Sequence, residues 1–231
     1  MTLPNRHDQA TLRRAQGDKR PDNDGLTIAL PKGALYHDAA ARLRAAGIDV
    51  PEHVGRKLTV TTADGTTLLF LRASDVPAYV EFGSADCGIV GKDTLWETDR
   101  NVAELADLGF GYCRLVVAGR RIDRYHEGAP LPTFLRVATK FTRTAESWFA
   151  ERDLPVELIE LHGSVELSPL VGLADLIVDL VATGTTLREH DLVVVEEIAD
   201  STARFVVNPV RFRAKYDAIT ALLDRLTAVP A

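Results

Sequence analysis

The sequence predicts an α/β protein of two lobes, each built on a mostly parallel sheet, with a ligand cleft between them. Two observations carry this. Apolar runs of strand length alternate with helical periodicity along nearly the whole chain, the pattern of βα units whose parallel strands are covered by helices on both faces. A polar connection containing glycine and two prolines, residues 119–132, divides these units into two sets, and the chain re-enters the first set after Asp191. Residues 1–24 then form a mobile extension, 25–118 and 191–231 the first lobe, and 119–190 the second. Two crossings between lobes leave a cleft, and such clefts bind ligands.

Residues 1–24 are polar and charged without apolar periodicity. A buried strand follows at 26–30, then the turn Pro31-Lys32-Gly33 and a helix over 34–46 ended by Gly47. Leu35, Ala39, Leu43 and Ala46 share one face of that helix. Lys32 thus sits where the first strand gives way to the first helix; it is either a ligand group or a solvated surface lysine. Residues 57–62 and 67–71 read as a hairpin around Ala63-Asp64-Gly65-Thr66, with Arg56 before it and Arg72 after it. Ser74 is placed to cap a short helix through Phe82.

The strand 86–90 leads into Gly91-Lys92-Asp93, which opens a helix carrying Leu95 and Trp96. Asp93 is either a first-turn acid or a ligand contact. Strands follow at 102–108, 112–118 and 135–139, and Thr142 is placed to cap a helix over 143–152 with Ala145, Trp148 and Phe149 inward. Next come a strand at 156–161, the turn His162-Gly163-Ser164, and a short helix at 165–171 with Glu166 in its first turn. After the strand at 176–181, two more are expected at 192–198 and 203–207. Asn208 and Pro209 then begin a helix to about residue 227, with Phe212, Ile219, Leu222 and Leu226 in its apolar stripe.

With 231 residues, 46% of them hydrophobic, the chain can bury a substantial core. A formal charge of −6 argues against a general nucleic-acid binder. Cys87 and Cys113 lie in apolar strand surroundings and read as small core residues. No apolar run reaches membrane-spanning length and none continuous occurs near the N-terminus, so a soluble cytoplasmic protein is expected.

The most informative stretch is residues 172–187, GLADLIVDLVATGTTL. Leu176 to Val181 is a strand apolar on both faces; the side chains then shrink to Ala182-Thr183-Gly184-Thr185-Thr186, and a helix is expected from Leu187. Converging backbone N–H groups and hydroxyls suit a phosphate, and Gly184 lets backbone approach it. Asp179, at the end of the strand, is suited to accept hydrogen bonds from sugar hydroxyls. A sugar phosphate fits the pair; an ordinary strand–turn–helix with capping threonines is the other reading of the loop alone. No Gly-x-x-x-x-Gly-Lys-Ser/Thr occurs, so a Walker-type nucleotide hydrolase is not supported.

These residues carry a resemblance. Glu166, Gly172, Ala174, Ile177, Asp179 and Thr183-Gly184-Thr185-Thr186-Leu187 match the signature of the ATP phosphoribosyltransferases, which catalyse the first step of histidine biosynthesis. Leu30-Pro31-Lys32-Gly33 and 85–93 (ADCGIVGKD) resemble that family's first turn and its Asp-x-Gly-Ile-x-Gly segment, and the similarity runs over about residues 26–227. Ala34 departs from the pattern, which usually has arginine there. The resemblance implies a two-lobed fold like the type II periplasmic binding proteins. It implies transfer of phosphoribosyl from 5-phosphoribosyl-1-pyrophosphate to N1 of ATP.

In that reading Thr183, Gly184, Thr185 and Thr186 hold the 5′-phosphate, Asp179 orients the ribose, and Glu166 contacts the donor or braces the loop. Lys32 and Arg56 supply catalytic charge, Arg72 and Asp93 bind the nucleotide, and His162 is a turn residue. Mg²⁺ is expected on the pyrophosphate, held largely by substrate. The chain resembles the short form, which self-associates and works with a histidyl-tRNA-synthetase-like regulatory subunit. Alternatives are a non-catalytic two-lobed binding protein and a phosphoribosyltransferase with another base acceptor.

Overall fold

The computed structural model describes residues 25–229 apart from 124 and 129. The expected extension at 1–24 lies outside the described residues. In chain order the strands are β1 (Thr27–Pro31), β2 (Thr59–Thr61), β3 (Thr67–Leu71), β4 (Cys87–Gly91), β5 (Ala103–Asp107) and β6 (Cys113–Arg120). They continue as β7 (Leu135–Thr139), β8 (Val156–Glu160), β9 (Leu176–Val181), β10 (Leu192–Ser201) and β11 (Ala203–Val207). The helices are α1 (Tyr36–Ala45), α2 (Val76–Glu81), α3 (Lys92–Thr98) and α4 (Thr142–Ala150). After them come α5 (Leu167–Leu170), α6 (Thr185–Glu189), α7 (Pro209–Ala214) and α8 (Tyr216–Ala228).

Two sheets result, one ordered β2-β3-β1-β4-β11-β5 and the other β10-β6-β9-β7-β8. Each is sandwiched, which is why its central strands are apolar without alternation. In the first sheet Ile28, Leu30, Phe70 and Phe205 pack with Leu43 of α1 and Ile219 and Leu222 of α8. Val90 and Val206 face Val76 and Val80 of α2 on the other side. In the second sheet Leu115, Val117, Leu176 and Val178 pack with Trp148 and Phe149 of α4, while Val116, Ala118 and Ile177 pack with Leu187 of α6. Neighbours along each strand point to opposite faces, so both faces find cover.

The division between lobes differs from the expectation in position. Cys113–Arg120 and Leu192–Ser201, expected largely in the first lobe, pair with each other in the second sheet, and β6 also pairs with β9. Residues 119–132 therefore do not cross between lobes. The chain crosses at 108–112, where Gly109 (φ 71°) and Gly111 (φ 67°) turn the backbone, and returns through Thr202 alone, between β10 and β11. The passages are joined: Leu108 N donates to Ala203 O and Ala203 N to Phe110 O, both at 2.9 Å. The sheets are also mixed. Among the described residues, parallel pairing joins β1 to β3 and β4, and β7 to β8 and β9; strands adjoining the crossings run antiparallel to their neighbours.

Local capping departs from expectation at two helices and agrees at a third. Ser74 lies in a 3₁₀ turn before α2, and Thr142 lies inside α4, whose free N–H groups are taken by Glu97 of α3. A carboxylate accepts more hydrogen bonds than a hydroxyl, so it displaces the local cap. Asn208 does cap α7, accepting from Val210 N and Arg211 N at 2.9 Å, and its Nδ2 donates to Val80 O and Glu81 O. The helix expected from 209 to 227 breaks at Lys215 (φ −124°), whose ammonium donates to Gly25 O and to the buried Asp86 at 2.8 and 2.9 Å.

Candidate functional site

The parallel strands of both sheets end at one place. Lys32 follows β1, Arg72 follows β3 and Asp93 sits just beyond β4; from the other lobe Lys140 follows β7, His162 lies just beyond β8 and Ala182 follows β9. All line a single cleft of about 810 Å³ between the lobes. Carboxyl ends of parallel strands are where open α/β sheets bind ligands, because strands stop there and loops and helix starts expose polar groups.

On the first lobe's wall, Lys32 is half-buried and its N–H is anchored on Leu71 O at 2.7 Å. Arg72 is exposed, and Ala34 also lines the cleft. Asp93 is buried: Ser201 Oγ donates to its Oδ1 at 2.7 Å and its own N–H donates to Ser201 Oγ at 3.0 Å. It thereby ties the start of α3 to the end of β10. Arg56 is not among the residues that line the cleft. It lies exposed in the turn before β2, the edge strand, at the same end of the β2–β3 hairpin as Arg72, since Thr59 pairs with Leu69.

On the second lobe, Asp179 lies in β9 beside the cleft-lining Lys140, whose Nζ stands 3.7 Å from its Oδ1; that Oδ1 accepts from Leu180 N at 2.8 Å, and neither Asp179 nor the Thr183–Thr186 loop is among the residues that line the cleft. Burial pushes its carboxyl above the usual carboxylate range; Lys140 pulls the other way and the nearby Glu166 adds to the rise. Glu166 itself precedes α5, half-buried and outside the cleft lining. Beyond Ala182 the loop turns through Gly184 at φ 73°, a left-handed conformation that glycine adopts without strain. Helix α6 begins at Thr185, two residues before the expected Leu187. Thr183, Thr185 and Thr186 are exposed, and the first two hydroxyls stand 3.0 Å apart. Arg188 reaches back to Thr183 O at 3.0 Å and Thr185 Oγ1 at 3.1 Å.

Three residues of this arrangement escape the sequence reading. Lys140 was visible in principle as the residue after an apolar strand, the position that drew attention to Lys32. Arg188 falls three residues after Thr185, on the same helical face, a spacing that places a cation beside the loop. Glu97 had no local signal, because its partners lie in the other lobe. Among the described residues no three His, Cys, Asp or Glu side chains are grouped to hold a metal ion, and no helix is long and apolar enough to cross a membrane.

Comparison with known proteins agrees with this geometry. Residues 72–228 match the family model described as HisG: ATP phosphoribosyltransferase. An ATP phosphoribosyltransferase of Moorella thermoacetica is 55% identical over 210 residues, covering 87% of this chain and 91% of that protein. The fold resembles a chain of the ATP phosphoribosyl transferase (HisG:HisZ) complex from Thermotoga maritima, with a TM-score of 0.77, 32% identity, and 88% and 97% of the two chains covered. A periplasmic binding protein from Brucella ovis, at 11% identity and a TM-score of 0.52, covers 88% of this chain with 65% of its own and shares the fold alone. The cleft between two mixed sheets is thus the type II periplasmic-binding-protein arrangement, and by its sequence and its fold the chain belongs to the ATP phosphoribosyltransferase family.

Proposed function

We infer that this chain transfers the phosphoribosyl group of 5-phosphoribosyl-1-pyrophosphate to N1 of ATP, releasing pyrophosphate, the opening step of histidine biosynthesis. The observation that carries the reading is the two-walled cleft. Lys140, His162 and Ala182 line one side, with Asp179 beside Lys140 and the Thr183–Thr186 loop directly after Ala182, and Lys32 and Arg72 line the other. The adenine N1 lone pair forms the new bond to the anomeric carbon as the bond to the pyrophosphate oxygen breaks, and that electron pair leaves with pyrophosphate. N1 needs no deprotonation to act as nucleophile, so the chemistry asks for alignment and charge rather than a base; alignment lowers such barriers by up to about 7–11 kcal/mol.

In this reading the loop Thr183–Thr186 and Arg188 hold the 5′-phosphate and Asp179 accepts from the ribose hydroxyls, with Glu166 bracing it from behind. Lys32 and Arg72 take the charge of pyrophosphate and triphosphate, with Arg56, at the same hairpin end as Arg72, kept as the candidate for the leaving group. Asp93 sets the start of α3 against the nucleotide. Mg²⁺ suits the pyrophosphate oxygens of the donor and would arrive on that substrate, since magnesium keeps waters and few protein ligands. Likeness to a chain of the Thermotoga HisG:HisZ complex supports a regulatory partner, and self-association is part of the same reading; mass measurement of the chain with and without a histidyl-tRNA-synthetase-like subunit tests both. For the reaction, the full chain is incubated with ATP, donor and Mg²⁺. The ultraviolet change of an N1-substituted adenine is expected, and its absence at saturating substrate, alone and with such a subunit, would overturn the assignment.

A further inference from the structure

The N-terminus of α4 belongs to one lobe, and the carboxylate that caps it belongs to the other. Glu97 lies in the last turn of α3. Its Oε1 accepts from Arg143 N at 3.0 Å and Thr142 Oγ1 at 3.3 Å; its Oε2 accepts from Thr144 N at 3.0 Å and Thr144 Oγ1 at 2.9 Å. These four bonds use the acceptor capacity of an ionised carboxylate, and a helix N-terminus favours that charge. Beside them Arg143 pairs with Asp99 at 2.7 Å. Helix caps ordinarily come from the residue just before the helix; this one comes from 45 residues upstream and from the other sheet.

The contact sits at the cleft itself, since Glu97 and Thr98 line it opposite Lys140 and Phe141. The lobes are joined only through 108–112 and Thr202 within the described residues, so opening the cleft about those passages draws α3 from α4. Hydrogen bonds fail beyond about 3.5 Å, so the four would be lost together. We propose that Glu97 is a positioning residue for the transfer reaction: it fastens α4 to α3 and fixes the spacing at which the Lys32–Arg72 wall faces the Lys140–His162 wall. This rests on the reading of the cleft as the transfer site. A local cap would stabilise α4 equally and leave the lobes unlinked.

The test compares the full wild-type chain with Glu97→Ala and Glu97→Gln, by small-angle X-ray scattering and by kinetics. Without ligand both variants are expected to show a larger radius of gyration than wild type, returning to the wild-type value when both substrates saturate. KM for ATP and KM for the ribosyl donor are expected to rise together, by about 3- to 10-fold, with kcat within about twofold, because bound substrate then has to close the cleft. The glutamine variant keeps the shape but turns an N–H donor toward Thr144 N, so it serves if the alanine variant folds poorly. A lowered melting temperature with unchanged scattering and unchanged KM would reduce Glu97 to a helix cap and overturn the proposal. A KM change for one substrate alone would make it a substrate contact and overturn it equally. Scattering does not depend on turnover. A wild-type chain that transfers nothing therefore counts against the proposed reaction, while unchanged scattering in the variants counts against the fastening.

Discussion

Replacing Lys140 with methionine removes one charge beside Asp179 and keeps the length of the side chain. The ammonium stands 3.7 Å from Oδ1. At an effective dielectric of about 20 such a pair interacts by about 4 kcal/mol. The two side chains are 43% and 25% exposed, so solvent screening reduces the figure to about 1 kcal/mol, or about fivefold in an equilibrium. Burial already holds the Asp179 carboxyl above the usual range, and Lys140 is the leading opposing influence. Removing it moves that carboxyl further up. The ionised form is the one that accepts from ribose hydroxyls, and it is lost as pH falls through the raised value.

The assay is KM for the ribosyl donor as a function of pH. KM should climb on the acidic side in wild type, and in Lys140→Met the climb should begin at higher pH. At a given acidic pH the variant should lie about fivefold above wild type, and the curves should converge at alkaline pH. KM for ATP should not change. Curves that climb at the same pH would refute the coupling, and a rise equal at every pH would mean that Lys140 touches a phosphate instead.

Three other outcomes are expected. Gly184→Ala forces a left-handed φ on a residue with a Cβ, which would also meet Arg188 Nη1 at 3.2 Å; a loss of about 1 kcal/mol of stability and a raised donor KM are predicted, measured by denaturant titration and kinetics. Arg188→Ala removes the guanidinium joining Thr183 to Thr185 and should raise KM for the donor by about tenfold, with KM for ATP little moved; equal effects on both would detach Arg188 from the loop's role. Asp86→Ala strands the Lys215 ammonium and the Thr27 N–H, and should cost about 3–5 kcal/mol in calorimetry. A change within 1 kcal/mol would show about that much of the cluster's role to be dispensable.

What could be read from the sequence was local. Leu135–Thr139, Leu176–Val181 and Ala203–Val207 are apolar runs bounded by turn residues, and they form strands at those bounds. Asn208 before Pro209 is a cap that needs nothing from elsewhere, and it forms. What failed depended on distant partners. Nothing within Leu192–Ser201 says that it pairs with β6 rather than with the first sheet, because a strand's partner is a property of the whole topology. Thr142 has a cap's identity and position, yet a carboxylate from the other lobe takes its place. At the site the same division holds. The Thr-Gly-Thr-Thr loop and Asp179 announce themselves by composition, whereas Lys140 gains its meaning only when β7 and β9 lie side by side.

The single-residue return at Thr202 sets an unforgiving length on the chain. Phe205 and Val207 point into the main core of the first sheet, and Val206 points to the other side, under α2. One residue gained or lost beside Thr202 would rotate β11 by half a pleat relative to β10, turning Arg204 toward the core and Phe205 away from it. Substitutions are tolerable at such a joint, but insertions and deletions are not. The passage that joins β10 to β11 is thereby a part where homologous chains should be uniform in length.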